Sequence, residues 1–251
     1  MDKIQVRVIQ SPDVNPSAMT SLAARLTQKK CSSVDEVMAM LKPSAKLVDS
    51  VISMNHLSVT RHSSYTVLIF GASRRFLAQI TRHHVGMDFT SGSLQYQDMS
   101  DAAQFVTPYE LLDPKNAVAR TIYQEVCEDS ACNYRHLVQK YGIDRDTAGY
   151  LMPQGMRNIL IMTGNVNAWY NVLNARLCHR NTNETRYVSA LILEQLLQAP
   201  GGEVFQHAGP NCVQASGCLE GKMICDHLYS DSFSSIGAYI ANEWPLIRSE
   251  K

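Results

Sequence analysis

The strongest local constraint on this chain is the passage from Tyr65-Thr66-Val67-Leu68-Ile69-Phe70 straight into Gly71-Ala72-Ser73-Arg74. Six residues rich in β-branched and aromatic side chains favour a pleated, half-buried strand, and Gly71 ends it. Ser73 then caps a helix running through His83, because its hydroxyl can accept from a backbone N–H that the first turn leaves unpaired. Phe76, Leu77 and Ile80 form the apolar stripe of that helix, while Arg75, Gln79 and Arg82, spaced i, i+4, i+7, share the opposite face. That face is either a solvated stripe or an anion-gripping one. Directly after its basic end, Val85-Gly86-Met87-Asp88-Phe89-Thr90-Ser91-Gly92-Ser93 reads as a glycine-containing loop, whose N–H groups can converge on a phosphate.

The remaining elements follow from periodicity. Residues 4–9 alternate as a strand and the segment after Pro16 has helical spacing. A helix-like pattern recurs from Ser33 to Met54, interrupted at Lys42-Pro43. Helices are expected around Asn116 to Cys127 and Tyr134 to Lys140, with Gly142 as a stop. Ile159-Leu160-Ile161-Met162 reads as a short buried segment that ends at Thr163-Gly164-Asn165 and leads into a strong helix. In that helix Trp169, Val172, Leu173, Arg176 and Leu177 take the core side. Asn167, Asn171 and Asn174 line one strip. Asparagine competes with the backbone for hydrogen bonds, so three in register point either to a buried network or to a ligand. Asn181 with Glu184 resembles a capping box opening a helix through Leu197, which Pro200-Gly201-Gly202 ends. Ile236, Tyr239, Ile240 and Trp244 keep helical spacing, so a short terminal helix is expected over Ser234 to Trp244.

With 251 residues, 45% hydrophobic and 18% charged, the composition is that of a globular protein and excludes disorder, collagen and coiled coil. One large domain is the expectation. Lys+Arg and Asp+Glu both number 23, so no global field steers the chain to nucleic acid or to an anionic membrane. Any bound anion must be held by a local cluster. No apolar run is long enough to span a bilayer and the first residues lack a signal peptide's apolar stretch, which makes the expected location cytoplasmic. Seven cysteines are too few and too odd in number for a disulfide scaffold. Cys178, Cys212, Cys218 and Cys225 fall in the last third and are read either as four thiolates on a structural zinc or as ordinary thiols.

In order along residues 4 to 226, four features together resemble the flavin-dependent thymidylate synthases. His56-Leu57-Ser58-Val59-Thr60-Arg61-His62 is similar to the family's His-x-Ser-x-x-Glu-His run, with Arg61 in place of Glu. The segment from Gly71 to His84 is similar to the helix that ends in the family's Arg-His-Arg, with His84 as the third member; the serine expected beyond it matches Ser93 with a one-residue insertion. Leu151-Met152-Pro153, Thr163-Gly164-Asn165, Ala168-Trp169, Asn174 to Arg180 and Glu184 keep the family spacing without gaps. Gly209-Pro210-Asn211-Cys212, Cys218, Glu220-Gly221-Lys222 and Cys225 resemble the cysteine-bearing tail of one branch.

The resemblance implies an α+β single-domain subunit over residues 1–226, with a mostly antiparallel sheet flanked by helices, and a C-terminal extension over 227–251. It implies a homotetramer with each active site built from several chains around FAD. Reduced flavin passes a hydride to a dUMP intermediate that has taken its one-carbon unit from methylenetetrahydrofolate, and NADPH re-reduces the flavin. Carried over by position, His56, Ser58, Arg82, His83, His84, Asn165, Asn167 and Asn171 surround the flavin. Gln79, Arg82, Ser91, Gly92, Ser93, Gln95 and Arg176 line the nucleotide site, with Arg176 and Ser93 as the catalytic pair. A guanidinium fork at Arg176 can bond a uracil edge and stabilise charge on its carbonyl; as a plain helix-end charge it would complement the dipole instead.

Three departures bear on the substrate. The family has arginines where this chain has Gln95 and Gly149, and a glutamate where it has Ser91. Two lost charged hydrogen bonds, at roughly 1.5 to 3 kcal/mol each, would weaken dUMP binding by about two or more orders of magnitude. Either Arg157 or Arg145 replaces them from a neighbouring turn, or the substrate differs. The expectations are therefore a dUMP methylase, a relative that acts on another pyrimidine nucleotide or gives a hydroxymethyl product, or a non-catalytic flavin-binding scaffold.

Overall fold

The computed structural model describes residues 1, 3–100, 104–214, 218, 220–225 and 235–248. Its centre is a four-stranded antiparallel sheet of β1 (Gln5–Gln10), β2 (Ser64–Ser73), β3 (Met87–Ser91) and β4 (Arg157–Asn165), in the order β1-β2-β4-β3. Around it, in chain order, lie α1 (Pro16–Leu26), α2 (Val34–Ala39), α3 (Ala45–Ser53), α4 (Arg74–Ile80), α5 (Ala117–Arg135), α6 (Arg145–Gly149), α7 (Val166–Arg176), α8 (Asn183–Gln198), α9 (Asn211–Gln214), α10 (Ile236–Glu243) and α11 (Pro245–Arg248). A 3-10 turn, Leu57–Thr60, precedes β2. The result is the expected α+β sheet flanked by helices.

One face of the sheet makes the core. Tyr65, Val67, Ile69, Leu160 and Met162 are buried there under α7 and α8, with Trp169, Val172, Leu173, Val188 and Leu193. Trp169 Nε1 donates to the Tyr65 carbonyl at 3.2 Å and the Tyr170 hydroxyl to the Val204 carbonyl at 2.8 Å, so the two bulky polar tips buried in this layer are paired. Burying Trp169, Val172 and Leu173 agrees with their expected core side. A smaller cluster of Tyr134, Ala148, Met152 and Met156 lies where α5 and α6 meet.

Several boundaries differ from the sequence expectation. Gly71 does not end β2. The strand continues to Ser73, and the register slips between Phe70 and Ala72 where Gly71 sits at φ +83°; this is a bulge, a use of glycine as common as a stop. Ile159 and Ile161 are not buried but 41% and 36% exposed, because β4 alternates and only Leu160 and Met162 face the helices. The expected loop after His84 contains the edge strand β3, paired with β4 from Met87↔Gly164 to Ser91↔Leu160. Ser73 caps α4 as expected, accepting from Phe76 N at 3.0 Å, but the helix stops at Ile80, so Arg82, His83 and His84 lie in the turn beyond it. The two helices expected in the middle are one, α5, continued by a π turn over His136–Lys140. Thr182, not Asn181, caps α8, accepting from Thr185 N at 3.3 Å.

No described helix is long and apolar enough to cross a membrane. The expected terminal helix is present as α10, with Ser235 as its cap; residue 234 and the boundary at 226–227 lie outside the described residues. A half-buried ion pair fastens it. Arg186 on α8 bonds Glu243 and the Tyr239 hydroxyl and lies 5.3 Å from the Trp244 ring, while His179 stands 3.5 Å from Glu243. Cys178, Cys212, Cys218 and Cys225 are all half-buried and form no disulfide. Among the described residues no three His, Cys, Asp or Glu side chains are grouped to hold a metal.

Candidate functional site

Three elements bring the predicted residues together: α4 with the turn after it, α7, and the start of α8. β2 and β4 run antiparallel, so α4 and α7, which follow those strands, start from opposite ends of the sheet. Glu184 locks α4 to α8, since both Ser73 N and Ser73 Oγ donate to its carboxylate, at 2.7 and 2.5 Å.

Arg176, in the last turn of α7, reaches across this junction. Its Nη2 donates to the Gln79 carbonyl at 2.7 Å, Nε to His83 Nε2 at 2.9 Å, and Nη1 to Asn181 Oδ1 at 3.2 Å. An imidazole nitrogen that accepts from a guanidinium carries no proton, so His83 is neutral with its hydrogen on Nδ1. Burial, and then the charges of Arg176 and His84, hold its pKa below the ordinary histidine range. Burial, and then the Arg82 charge, also lower that of Arg176. The charges of Arg82 and Arg176 thus act on one another, with the neutral His83 bonded to Arg176.

The Gln79 carboxamide is oriented from behind. Its Oε1 accepts from Thr185 Oγ1 at 2.6 Å, and the Thr182 hydroxyl lies 2.9 Å from that of Thr185. With the oxygen occupied, Gln79 offers its NH2 to any ligand. Asn181 is anchored in turn by donating to the carbonyls of Ala175 and Cys178 at 2.7 and 3.2 Å.

The turn after α4 runs back along α7. Gly86, at φ +74°, passes so close that a Cβ there would lie 2.8 Å from Asn165 Nδ2. Asn165 caps α7, accepting from Ala168 N at 2.9 Å. The expected asparagine strip is graded: Asn167 is buried, Asn174 half-buried and Asn171 exposed. The 3-10 turn at Leu57–Thr60 packs on α7, which places exposed His56 and Ser58 beside this helix.

Ser91, Gly92, Ser93 and Gln95 are not in this group. They lie at and beyond the far end of β3, where Gly92 N donates to the Ile159 carbonyl at 3.0 Å and Gln95 N to Ser93 Oγ at 3.2 Å. Arg145 reaches that turn, donating to the Tyr96 carbonyl at 3.2 Å and pairing with Asp98 at 3.3 Å. Arg157 does not, because its Nη1 and Nε donate to the carbonyls of Gly71 at 3.0 Å and Phe105 at 3.3 Å. Gly149 is buried, and a side chain there would start 3.4 Å from Leu94 Cβ. A cavity of about 510 Å³ beside Lys3, Tyr123, Cys127 and Arg157, and one of about 540 Å³ beside Ser73, Arg75, Tyr109 and Glu184, lie off the Arg176 cluster.

Sequence reasoning missed Asn181 as a partner of Arg176 and Thr185 as the group orienting Gln79. A polar residue a few places past a site arginine was a weak signal for the first, and nothing marked the second.

A family model described as thymidylate synthase complementing protein matches residues 7–199. The flavin-dependent thymidylate synthase of Geobacter sulfurreducens is 28% identical over 218 residues, covering 86% of this chain and 90% of that one. The enzyme of the same name from Clostridium tetani is 28% identical over 229 residues, 84% and 89% of the two chains. Thymidylate synthase X from Helicobacter pylori, solved with FAD and dUMP, superposes with a TM-score of 0.58 at 19% identity, covering 80% of this chain and 96% of that one, and so shares the fold. On the family match, over a sheet and helices of that fold, this chain belongs to the thymidylate synthase complementing proteins, the flavin-dependent thymidylate synthase family.

Proposed function

We propose that this protein reductively methylates dUMP to dTMP with FAD as cofactor and with methylenetetrahydrofolate and NADPH as co-substrates, as a cytoplasmic homotetramer of single-domain subunits. The observation that carries this reading is the Arg176 junction, where a desolvated guanidinium, a neutral His83, the Gln79 amide and Arg82 share one patch. The donor set suits FAD. Exposed Arg82 matches phosphate charge, while the amides of Asn165, Asn167 and Asn171, with His56, Ser58 and His84, suit a polar ring edge. When bound, FAD supplies the redox chemistry. The chain's own part is to hold the pyrimidine: Gln79 presents donors to a carbonyl, and Arg176 neutralises charge growing there.

One chain does not suffice for this site. Ser93 stands six residues beyond Met87 along the sheet edge, about 20 Å in an extended chain, with Arg82 to His84 before the strand and Ser93 after it. A nucleotide that touches both groups is reached by two chains. On this reading Arg145, beside the Ser93 turn, provides the cation that Gln95 and Gly149 do not. The open sheet face, where Leu68, Phe70, Ile159 and Ile161 lie together by register, supports assembly, since contiguous exposed apolar area marks interfaces.

The test is turnover of dUMP with NADPH and the folate by the purified protein, read by mass spectrometry beside its absorption spectrum. A flavin band and dTMP are expected. Absence of both overturns the proposal. Gln95 and Gly149, where the family has arginines, favour a second reading, a different pyrimidine nucleotide or a hydroxymethyl product, which the same panel with UMP and dCMP decides.

A further inference from the structure

The turn that carries Asn181 is held from the far end of the chain. Residues 177–182 join α7 to α8, and Asn181 in this turn accepts from Arg176 Nη1 at 3.2 Å. The other two partners of Arg176, the Gln79 carbonyl and His83, belong to α4 and the turn after it. A bond of 3.2 Å lies at the long end of the normal range, and it lasts only while its acceptor is kept in place. Keeping a connecting turn in one conformation costs roughly 1–2 kcal/mol per residue in entropy, so the turn needs anchors of its own.

Three residues of the C-terminal segment supply them, on both sides of Asn181. His179 Nε2 lies 3.1 Å from Arg186 Nη2 and 3.5 Å from Glu243 Oε2, where Glu243 pairs with Arg186. Trp244 Nε1 donates to Asn183 Oδ1 at 3.2 Å. Arg180 Nη1 donates to Glu220 Oε2 at 2.7 Å, but these side chains are 40% and 41% exposed, so water screens the pair. The grip on His179 is screened less, because the His179 and Arg186 side chains are only 14% and 7% exposed. Buried Trp244 meets the rings of Tyr187 and Tyr239 at 5.2 and 5.6 Å, which fixes the end of α10 on α8.

We infer that Glu243 and His179 are positioning residues for Arg176: α10 holds His179, the turn then holds Asn181, and Asn181 aims the guanidinium at the nucleotide carbonyl. The inference rests on the reading that Arg176 neutralises charge on a bound pyrimidine. Neither Glu243 nor His179 bonds Arg176 itself. Their effect is on how steadily its fork is aimed. Aim counts most once charge has developed on the carbonyl, so the two residues act on kcat more than on binding.

The test is steady-state turnover of dUMP by the full chain, with kcat counted per bound flavin so that unfolded molecules do not contribute. Glu243→Ala is expected to lower kcat about fivefold while the KM for dUMP changes less than about twofold. Glu243→Gln, whose amide oxygen still accepts from Arg186, is expected to recover most of that loss. His179→Leu cuts the link while Arg186 and Glu243 stay paired, and is expected to match Glu243→Ala; it decides the matter if Glu243→Ala does not fold. Asn181→Ala is expected to lower kcat roughly tenfold, and adding Glu243→Ala to lower it no further, since both act through one bond. A merely structural α10 would reduce flavin content and leave kcat per flavin unchanged in every variant, which overturns the inference alone. Full additivity of Glu243→Ala with Asn181→Ala overturns it as well. A wild type that turns over no pyrimidine nucleotide overturns the reading beneath it and the inference together.

Discussion

Arg176 and His83 determine each other's state. The guanidinium donates to the imidazole, and protonating the ring would set a new positive charge beside Arg176 and His84. In the unfolded chain this ring titrates near 6.5, and in the folded one lower. Above 6.5 neither state is protonated there and the group adds no pH dependence. Below it the unfolded chain takes up the proton first, so native stability is lost as the pH falls towards the folded value. Urea midpoints measured from pH 7.5 to 5 are therefore expected to drop more for the wild type than for His83→Gln, whose amide oxygen can still accept from Arg176. Equal drops would mean that the ring is not held neutral. At this scale the sequence was informative about which residues matter and silent about how they are held. The motif pointed to Arg176, Gln79 and His83. The bond from Thr185 to Gln79 joins residues 106 positions apart, and a long-range contact between two short polar side chains leaves no periodicity to read.

At the level of elements, strong periodicity was legible and short edges were not. β2, α1 and α7 follow their patterns because buried residues on one side outnumber exceptions. β3 escaped because five residues at a sheet edge, with Met87 buried and Phe89 half-buried, carry too little alternation beside two flanking glycines. Gly71 shows the same ambiguity, since one glycine marks a strand end or a bulge equally well. The bulge makes it irreplaceable: at φ +83° an alanine Cβ would lie 2.9 Å from the Lys3 carbonyl oxygen, which is backbone and cannot swing away. Gly71→Ala is expected to cost about 1–3 kcal/mol, seen as a lower urea midpoint at unchanged m-value. The C-terminal helix offers a second check. Glu243→Ala leaves the Arg186 charge buried without its carboxylate, at a cost of about 2 kcal/mol after allowing for the partial exposure of Glu243, and amides of α10 are expected to exchange hydrogen faster. Unchanged exchange would mean that apolar contacts alone, chiefly those of Trp244, hold α10 in place.

At the scale of the whole molecule, the sheet edge divides the proposed site. A single-chain reading of the sequence groups Ser93 with Arg82 because they are near in number, but an extended strand between them carries them apart. The resemblance implied a site shared between chains, but motif order along a chain says nothing about which copy supplies each motif. The division has a functional consequence that can be measured without a structure of the assembly. Arg176→Ala damages the half-site on α7, and Ser93→Ala with Arg145→Ala damages the half-site at the end of β3. Each homogeneous variant is expected to lose most turnover. If every site takes one half from each of two chains, mixing equal amounts and allowing subunits to exchange leaves about a quarter of the sites with both halves intact, by random pairing. Recovery of activity towards that fraction, growing at the rate of subunit exchange, is the expected result. A mixture that stays as inactive as its components would mean that each chain completes its own site, and that the 93–98 turn must move towards Arg176 when the nucleotide binds.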